Sequence, residues 1–295
     1  MSKPLISTEH ARLALEARWP GVSAFSPLVE GEESRAFRFE RGGQDFVLRI
    51  NRDSGGFAKD DLVQRLFGAQ LPIPEVMLMG QLEDGLAFCI SRMVPGTTLQ
   101  ALPADRLAPA LQPVADLLES IAAINVGAIA GFGPFDAQGR ARFAGWTAFV
   151  ASIGDVAHYD WSRACIEGVA PWLEQVLALS NTCPDTRQLV HGDFGSNNVL
   201  FAEGRITGVI DWSEAMVGDG LYDVANILFW RTWLDCMEQQ AAFFEANRPT
   251  WLARRDLLRC YHLRIGLDLI YQCALAGDRP MLDWARRRCG EVANF

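Results

Sequence analysis

The chain has 295 residues, 49% of them hydrophobic, and a net charge of −9. That length accommodates one large domain or two lobes with substantial cores. The acidity runs against a nucleic-acid binder, which shows a basic face, and fits either a cationic ligand or simple solubility. No apolar run reaches the ~18 residues that span a membrane, and the seven cysteines are scattered without a C-x-x-C. The four histidines form no H-E-x-x-H. Reduced thiols in a cytoplasmic protein are expected, not a disulfide framework or a zinc site.

The first twenty residues, MSKPLISTEHARLALEARWP, lack the apolar core and cleavage site of a signal peptide. They read as a helix capped by Ser7 or Thr8, with Leu13, Leu15 and Trp19 buried. Three short alternating runs follow, FSPLVEG, SRAFRFERG and DFVLRIN, broken at Glu32–Glu33 and Gly42–Gly43. A helix is expected over about Phe57–Ala69. Pro72 and Pro74 exclude helix from LPIPEVMLMG, and the strand LAFCISRMV ends at Pro95–Gly96. Beyond this point the period changes to that of helices. PADRLAPALQPVADLLESIAAI opens with Asp105 as a cap, and WTAFVASI, SRACIEGVAPWLEQVLAL, YDVANILFWRTWLDCMEQQAAFFEAN and RRDLLRCYHLRIGLDLIYQCALAG continue the pattern. A single strand pair, NVLFAEGRITGVIDW, interrupts them. The expected fold class is α+β: a small antiparallel β lobe, residues 1–94, and a larger, mainly helical lobe, residues 95–295. A cleft between lobes is a favoured ligand site.

The string LVHGDFGSNNVLF permits two assignments of Asp193. D-F-G marks a magnesium aspartate in kinases, and H-x-D-x-x-x-x-N marks a catalytic loop whose aspartate accepts the substrate's proton. The first requires a catalytic motif upstream. Asp185 is the only candidate there, and Val190 stands where its asparagine should be. The second requires Asn198, which is present, and a further acid after a short hairpin, which Asp211 supplies. An antiparallel hairpin places the residue before its first strand opposite the one ending its second. Asn198 and Asp211 are therefore expected to offer oxygens to one Mg²⁺, with Asp193 beside the reacting hydroxyl. Either pattern alone more often caps turns; the combined spacing points to catalysis.

These residues resemble the aminoglycoside phosphotransferase family, which has a protein-kinase-like two-lobe fold. Its loop H-G-D-x-x-x-x-N matches His191, Gly192, Asp193 and Asn198, its I-D-W matches Ile210–Trp212, and its G-D-x-x-x-D-x-A matches Gly218, Asp219, Asp223 and Ala225. EGEESRAFRF, LPIPEV, CISRMVPGTTLQ, GFGPF, VIDWSEAMVGD, WRTWLDCMEQQ and LRIGLD extend the likeness to a subgroup modifying an aminocyclitol antibiotic at a 4-hydroxyl. The resemblance implies ATP and Mg²⁺ as cofactors, with Asp193 catalytic and Asn198 and Asp211 as metal ligands. The chain has neither a P-loop nor a G-x-G-x-x-G. The phosphate turn EGEESRAF has only Gly31, with Ser34 offering a hydroxyl and an N–H. Arg49 replaces the usual strand lysine, in agreement with the subgroup, and brings a phosphate-binding fork. Its acidic partner is Asp60 or Asp61, with Asp60 preferred. By analogy Ser91 gives a carbonyl and Met93 an N–H to adenine.

A cationic aminoglycoside needs carboxylates for its amines and aromatic faces for its sugars. Asn197, Glu214, Trp230, Trp233, Asp235, Glu238, Asp268 and Tyr271 are the candidates. Trp230 and Trp233 fit core packing equally well, Asp219 and Asp223 fit a structural role better, and Asp235 and Glu238 fit a solvated helix face. The expected protein is a monomeric small-molecule kinase conferring antibiotic resistance, with no nucleic-acid or membrane partner. Another amino sugar or a choline-like metabolite as acceptor, or a nucleotide-binding pseudokinase, stays open at this point.

Overall fold

The computed structural model describes residues 3–29, 34–82, 85–162 and 167–294. The expected turn at Gly31 and Glu32–Glu33, part of the run around Cys165, and Cys165 itself lie outside them. The chain forms two compact units. One comprises Met1–Gly96, Asp136–Gln138 and Thr207–Ser213, and the other Thr97–Phe135, Gly139–Ile206 and Glu214–Phe295. A single cut after residue 94 does not describe this division, because two later segments belong with the first unit.

In the first unit, α1 (Thr8–Arg18) starts at Ser7, whose hydroxyl accepts from the His10 N–H at 3.1 Å. Its buried positions are Ala11 and Leu15. Leu13, expected to be buried, is 53% exposed: it lies two residues from each, half a turn round the helix. Five antiparallel strands follow, β1 (Ser23–Pro27), β2 (Arg35–Arg41), β3 (Gln44–Asn51), and, after helix α2 (Gly55–Phe67), β4 (Val76–Gln81) and β5 (Ala87–Arg92), in the order β1-β2-β3-β5-β4. Strand alternation sends Phe37, Phe39, Phe46, Leu48 and Ile50 to one face, where they pack with Ala11 and Leu15 of α1. Trp19 meets Phe39 and Phe46 edge-on. The opposite face carries Arg49 and Cys89, cross-strand partners, and is met by Phe57 of α2.

The second unit begins with β6 (Thr97–Thr98) and α3 (Ala104–Ala122). Pro103, not Asp105, stands at the cap of α3; Asp105 sits in its first turn, where a negative charge meets the positive helix end. Next come β7 (Phe132–Phe135), β8 (Ala141–Phe143), α4 (Trp146–Ala151), α5 (Ala170–Ser180) and β9 (Gln188–Val190). Asp185 accepts from the Trp146 N–H at 2.7 Å and so caps α4 from a distance. The hairpin is β10 (Val199–Ala202) and β11 (Arg205–Val209), in a sheet of order β11-β10-β6. Its turn holds Glu203 and Gly204 at φ of 51° and 77°, the paired positive values of a tight type I′ connection.

The hairpin is not the only strand pairing among the helices. After it, β12 (Met216–Gly218) joins a four-stranded sheet of order β8-β7-β12-β9. Strands of three or four residues are too short to register a two-residue period. The helical run expected over 222–247 is two helices, α6 (Leu221–Trp230) and α7 (Asp235–Asn247). Then follow α8 (Pro249–Leu252), α9 (Arg255–Ala276), ended by Gly277 in the left-handed conformation, and the unanticipated α10 (Arg279–Ala293). No helix among the described residues is long and apolar enough to cross a membrane.

Candidate active site

The loop 191–198 leaves β9 and turns into β10, with its main chain fixed from several sides. Asp223 of α6 accepts from the His191 N–H at 2.7 Å and the Gly192 N–H at 2.9 Å. Asn226, one turn on, donates to the Phe194 carbonyl at 3.1 Å. Gln240 of α7 donates to the Ser196 hydroxyl at 3.0 Å. Gly192 has φ of 85°, and a Cβ there would lie 2.1 Å from the Glu214 carbonyl oxygen. No other residue fits, on both conformational and steric grounds. Burial pushes the Asp223 carboxyl up to about 7, with the nearby Asp193 charge adding to the rise, while the two backbone donors pull it down.

This scaffold leaves Asp193 exposed at the head of the loop. The Asn198 amide donates to the Asp193 carbonyl at 2.9 Å and to its Oδ2 at 3.1 Å. Its Nδ2 is thereby engaged, and its Oδ1 is left as the atom suited to a hard cation. Asn197 is exposed.

The first unit holds the predicted phosphate residues. Arg49 Nη2 meets Asp60 Oδ2 at 2.5 Å, and the guanidinium lies 5.0 Å from the Phe57 ring centre. Asp61 pairs instead with Arg65, at 2.8 Å, so Asp60 is the partner of Arg49. The carboxylate holds the Arg49 pKa above its ordinary value against the effect of burial. For Asp60 burial prevails: its pKa is raised, although Arg49 and the Trp212 N–H oppose the shift. Asp60 Oδ1 accepts from that N–H at 2.8 Å, and neighbouring Lys59 donates to the Ser213 carbonyl at 2.8 Å. Immediately before these two anchored residues Asp211 adopts φ of 61°, a conformation uncommon outside glycine and frequent where strain serves function. Its Oδ1 accepts from the Ser213 hydroxyl at 2.9 Å.

Ser34 precedes β2 and is half-buried, and Ser91 is buried on β5. The expectation for Met93 needs correction. Its N–H donates to the Asp45 carbonyl at 3.0 Å, so that donor is already engaged by the sheet. Among the described residues no group of three or more His, Cys, Asp or Glu gathers as a metal site; an Asp–Asn pair leaves most Mg²⁺ positions to phosphate and water.

A cavity of about 430 Å³ in the second unit is lined by Asp193 together with Glu214, Trp230 and Asp268 of the predicted acceptor residues. The other predicted contacts do not line it. Trp233 is 44% exposed and packs on Trp284, and Glu238 is held by Arg231 at 2.7 Å. Asp235 opens α7 and is exposed. Tyr271 is buried, its hydroxyl accepting from the Asp160 N–H at 3.2 Å. Trp230 does both jobs weighed for it, stacking on Trp284 at 4.8 Å while lining the cavity. Asp219 is structural: it accepts from the Tyr261 hydroxyl at 2.9 Å and from Arg254 at 3.2 Å.

Among the cavity residues that were not anticipated are Tyr159, Tyr222, Asn226 and Arg264. For Arg264 a signal existed in LRIGLD, a cation on the buried face of α9 four residues before Asp268. Tyr159 lies in an irregular segment and carried none.

A kinase-like catalytic loop, an arginine–aspartate pair beside a strained aspartate, and an acidic aromatic cavity at the loop define a small-molecule phosphotransferase. The model of the phosphotransferase enzyme family (APH) matches residues 24–257, and the chain belongs to that family. It is 46% identical to the hygromycin-B 4-O-kinase of Escherichia coli, over 99% of this chain and 87% of that protein. The crystal structure of a thermostable mutant of aminoglycoside phosphotransferase APH(4)-Ia, in ternary complex with AMP-PNP and hygromycin B, superposes with a TM-score of 0.91 at 47% identity. The match covers 95% of this chain and 96% of that one. The GDP complex of aminoglycoside 2'-phosphotransferase-IIIa shares the fold, with a TM-score of 0.69 at 16% identity over 98% of this chain and all of that one.

Proposed function

We propose that the protein transfers the γ-phosphate of ATP to a hydroxyl of hygromycin B, the 4-OH, and so confers resistance to it. The observation that carries this reading is the cavity. Asp193 shares it with two further carboxylates, Glu214 and Asp268, and with Trp230, a set suited to a polycationic, sugar-built acceptor. The similarity to a kinase of that antibiotic supports the same choice.

In this reading Asp193 orients the acceptor hydroxyl and takes its proton late in the transfer. Asn198 tethers Asp193, and Asn198 and Asp211 would hold Mg²⁺. The metal neutralises charge on the phosphates when bound. Arg49, kept in place by Asp60, grips the phosphates, and Ser34 adds a donor. Ser91 remains the adenine contact offered by the strand. Because phosphoryl transfer is loose, positioning and charge neutralisation supply most of the acceleration. The protein acts as a cytoplasmic monomer.

The test is growth of a sensitive bacterium expressing the chain, on hygromycin B and on other aminoglycosides. Selective survival on hygromycin B is expected. Unchanged sensitivity with soluble protein present removes the reading.

A further inference from the structure

A buried arginine in the wall of a cavity meant for a cation is at first sight misplaced. Arg264 is 4% exposed and lines the same cavity as Asp193. Its guanidinium lies 5.0 Å from the Phe149 ring centre and 5.3 Å from that of Tyr159. Its Nη2 donates to the Tyr159 hydroxyl at 3.1 Å, and that hydroxyl lies 2.7 Å from Asp268 Oδ1. Direct contact between Arg264 and Asp268 is longer, 3.9 Å.

The direction of this chain of bonds is fixed by chemistry. A guanidinium only donates, so the Tyr159 oxygen is the acceptor in the first bond and its proton must go to Asp268. Bonds linked in this way polarise one another. Burial pushes the Tyr159 hydroxyl up to about 12, so the proton stays in place at any working pH. Asp268 Oδ1 is consequently occupied. Oδ2 has no partner among the described residues, while the Asp268 side chain is 41% exposed.

We infer that Arg264 and Tyr159 are positioning residues that cap one oxygen of Asp268 and aim the other at an ammonium or hydroxyl of the acceptor. Arg264 therefore does not face the acceptor as a competing cation. Its charge is shared with two rings and a phenol, and its effect reaches the acceptor as the orientation of a carboxylate. Tyr159 is itself braced by Tyr271, with ring centres 5.1 Å apart, which gives Tyr271 a role one step removed from the acceptor. The inference rests on the proposed function, since it concerns the acceptor of that reaction.

The experiment is a double-mutant cycle on purified protein, with Tyr159→Phe, Asp268→Asn and the pair, reading KM for hygromycin B and for ATP, and acceptor affinity by calorimetry without nucleotide. Tyr159→Phe should raise acceptor KM and Kd about tenfold, the scale of one hydrogen bond to a charged group, and leave ATP KM within about twofold. Added to Asp268→Asn it should cost nothing more, because there is no longer a carboxylate to aim. Arg264→Lys, which keeps the charge and loses the planar fork, should fall between wild type and Tyr159→Phe. Fully additive penalties, or acceptor binding unchanged in a folded Tyr159→Phe protein, overturn the inference. Wild-type protein that does not phosphorylate hygromycin B overturns the proposed function instead, and is distinguished by being measured first.

Discussion

The catalytic loop and the acceptor wall are built in opposite ways. The loop is held by its main chain: Asp223 grips two N–H groups, Asn226 a carbonyl, and Gly192 fits against the Glu214 backbone. The wall is held through side-chain bonds among Arg264, Tyr159 and Asp268. Anchoring of the loop's main chain by Asp223 and Asn226 fixes where the backbone of Asp193 stands. Side-chain anchoring lets a wall be rebuilt for another acceptor by a few substitutions. Damage to the loop should therefore appear in kcat and in stability, and damage to the wall in acceptor KM.

The largest effect expected is that of Asp193→Ala, a loss of about 10²–10⁴ in kcat with ATP affinity, by nucleotide titration, nearly intact. A variant with near-normal kcat would remove Asp193 from the mechanism. Next is Asp60→Ala, which leaves Arg49 without its carboxylate and should lower stability by about 3 kcal/mol in denaturant titration and raise KM for ATP. Since Arg49 is one-fifth exposed, solvent screening keeps this to the lower end of such values. Asp223→Ala strips two buried backbone donors of their acceptor and should cost about 2 kcal/mol together with kcat. Acceptor KM that rises while kcat holds would break the contrast between loop and wall. Smallest is Trp230→Leu, expected to raise acceptor KM several-fold, on the scale of an aromatic contact of about 1 kcal/mol, and to spare kcat.

Asp223 also predicts a pH effect. Its native pKa, about 7, lies above the ~3.9 of an unfolded aspartate. The native state therefore binds this proton more tightly. The associated stability is fully present below about pH 4 and is lost as the pH rises toward 7. Asp223→Asn should flatten that part of the wild-type profile, measured as Tm between pH 4 and 7. An unchanged slope would mean that the two backbone donors outweigh burial.

How much of this was legible follows from the same contrast. The loop, its asparagine and Asp211 sit at fixed spacing because they lie on one continuous hairpin, and the sequence displays them side by side. The β lobe was equally readable, since Phe37, Phe39, Phe46, Leu48 and Ile50 alternate over long strands. Four-residue strands such as β7 gave no period. The wall joins Tyr159 and Asp268, 109 residues apart, and nothing in either local string marks the meeting. Trp233, Asp235 and Glu238 have the chemistry expected of acceptor contacts but do not line the cavity; Trp233 packs on Trp284 and Glu238 pairs with Arg231. Met93 shows the limit of analogy for backbone groups, because a main-chain donor is assigned by register and leaves no trace in residue type.

The return of Thr207–Ser213 to the first unit bears on how the protein can be dissected. A fragment ending at residue 96 would contain Lys59 and Asp60 but not the Ser213 carbonyl or the Trp212 N–H they bond. It would also lack the Val209 N–H that donates to the Pro72 carbonyl at 2.8 Å. The amino-terminal portion is thus not a portable nucleotide module. Split reporters, domain swaps and truncations drawn at the apparent junction should yield insoluble halves, and a severed chain should regain function only when its second piece includes the hairpin.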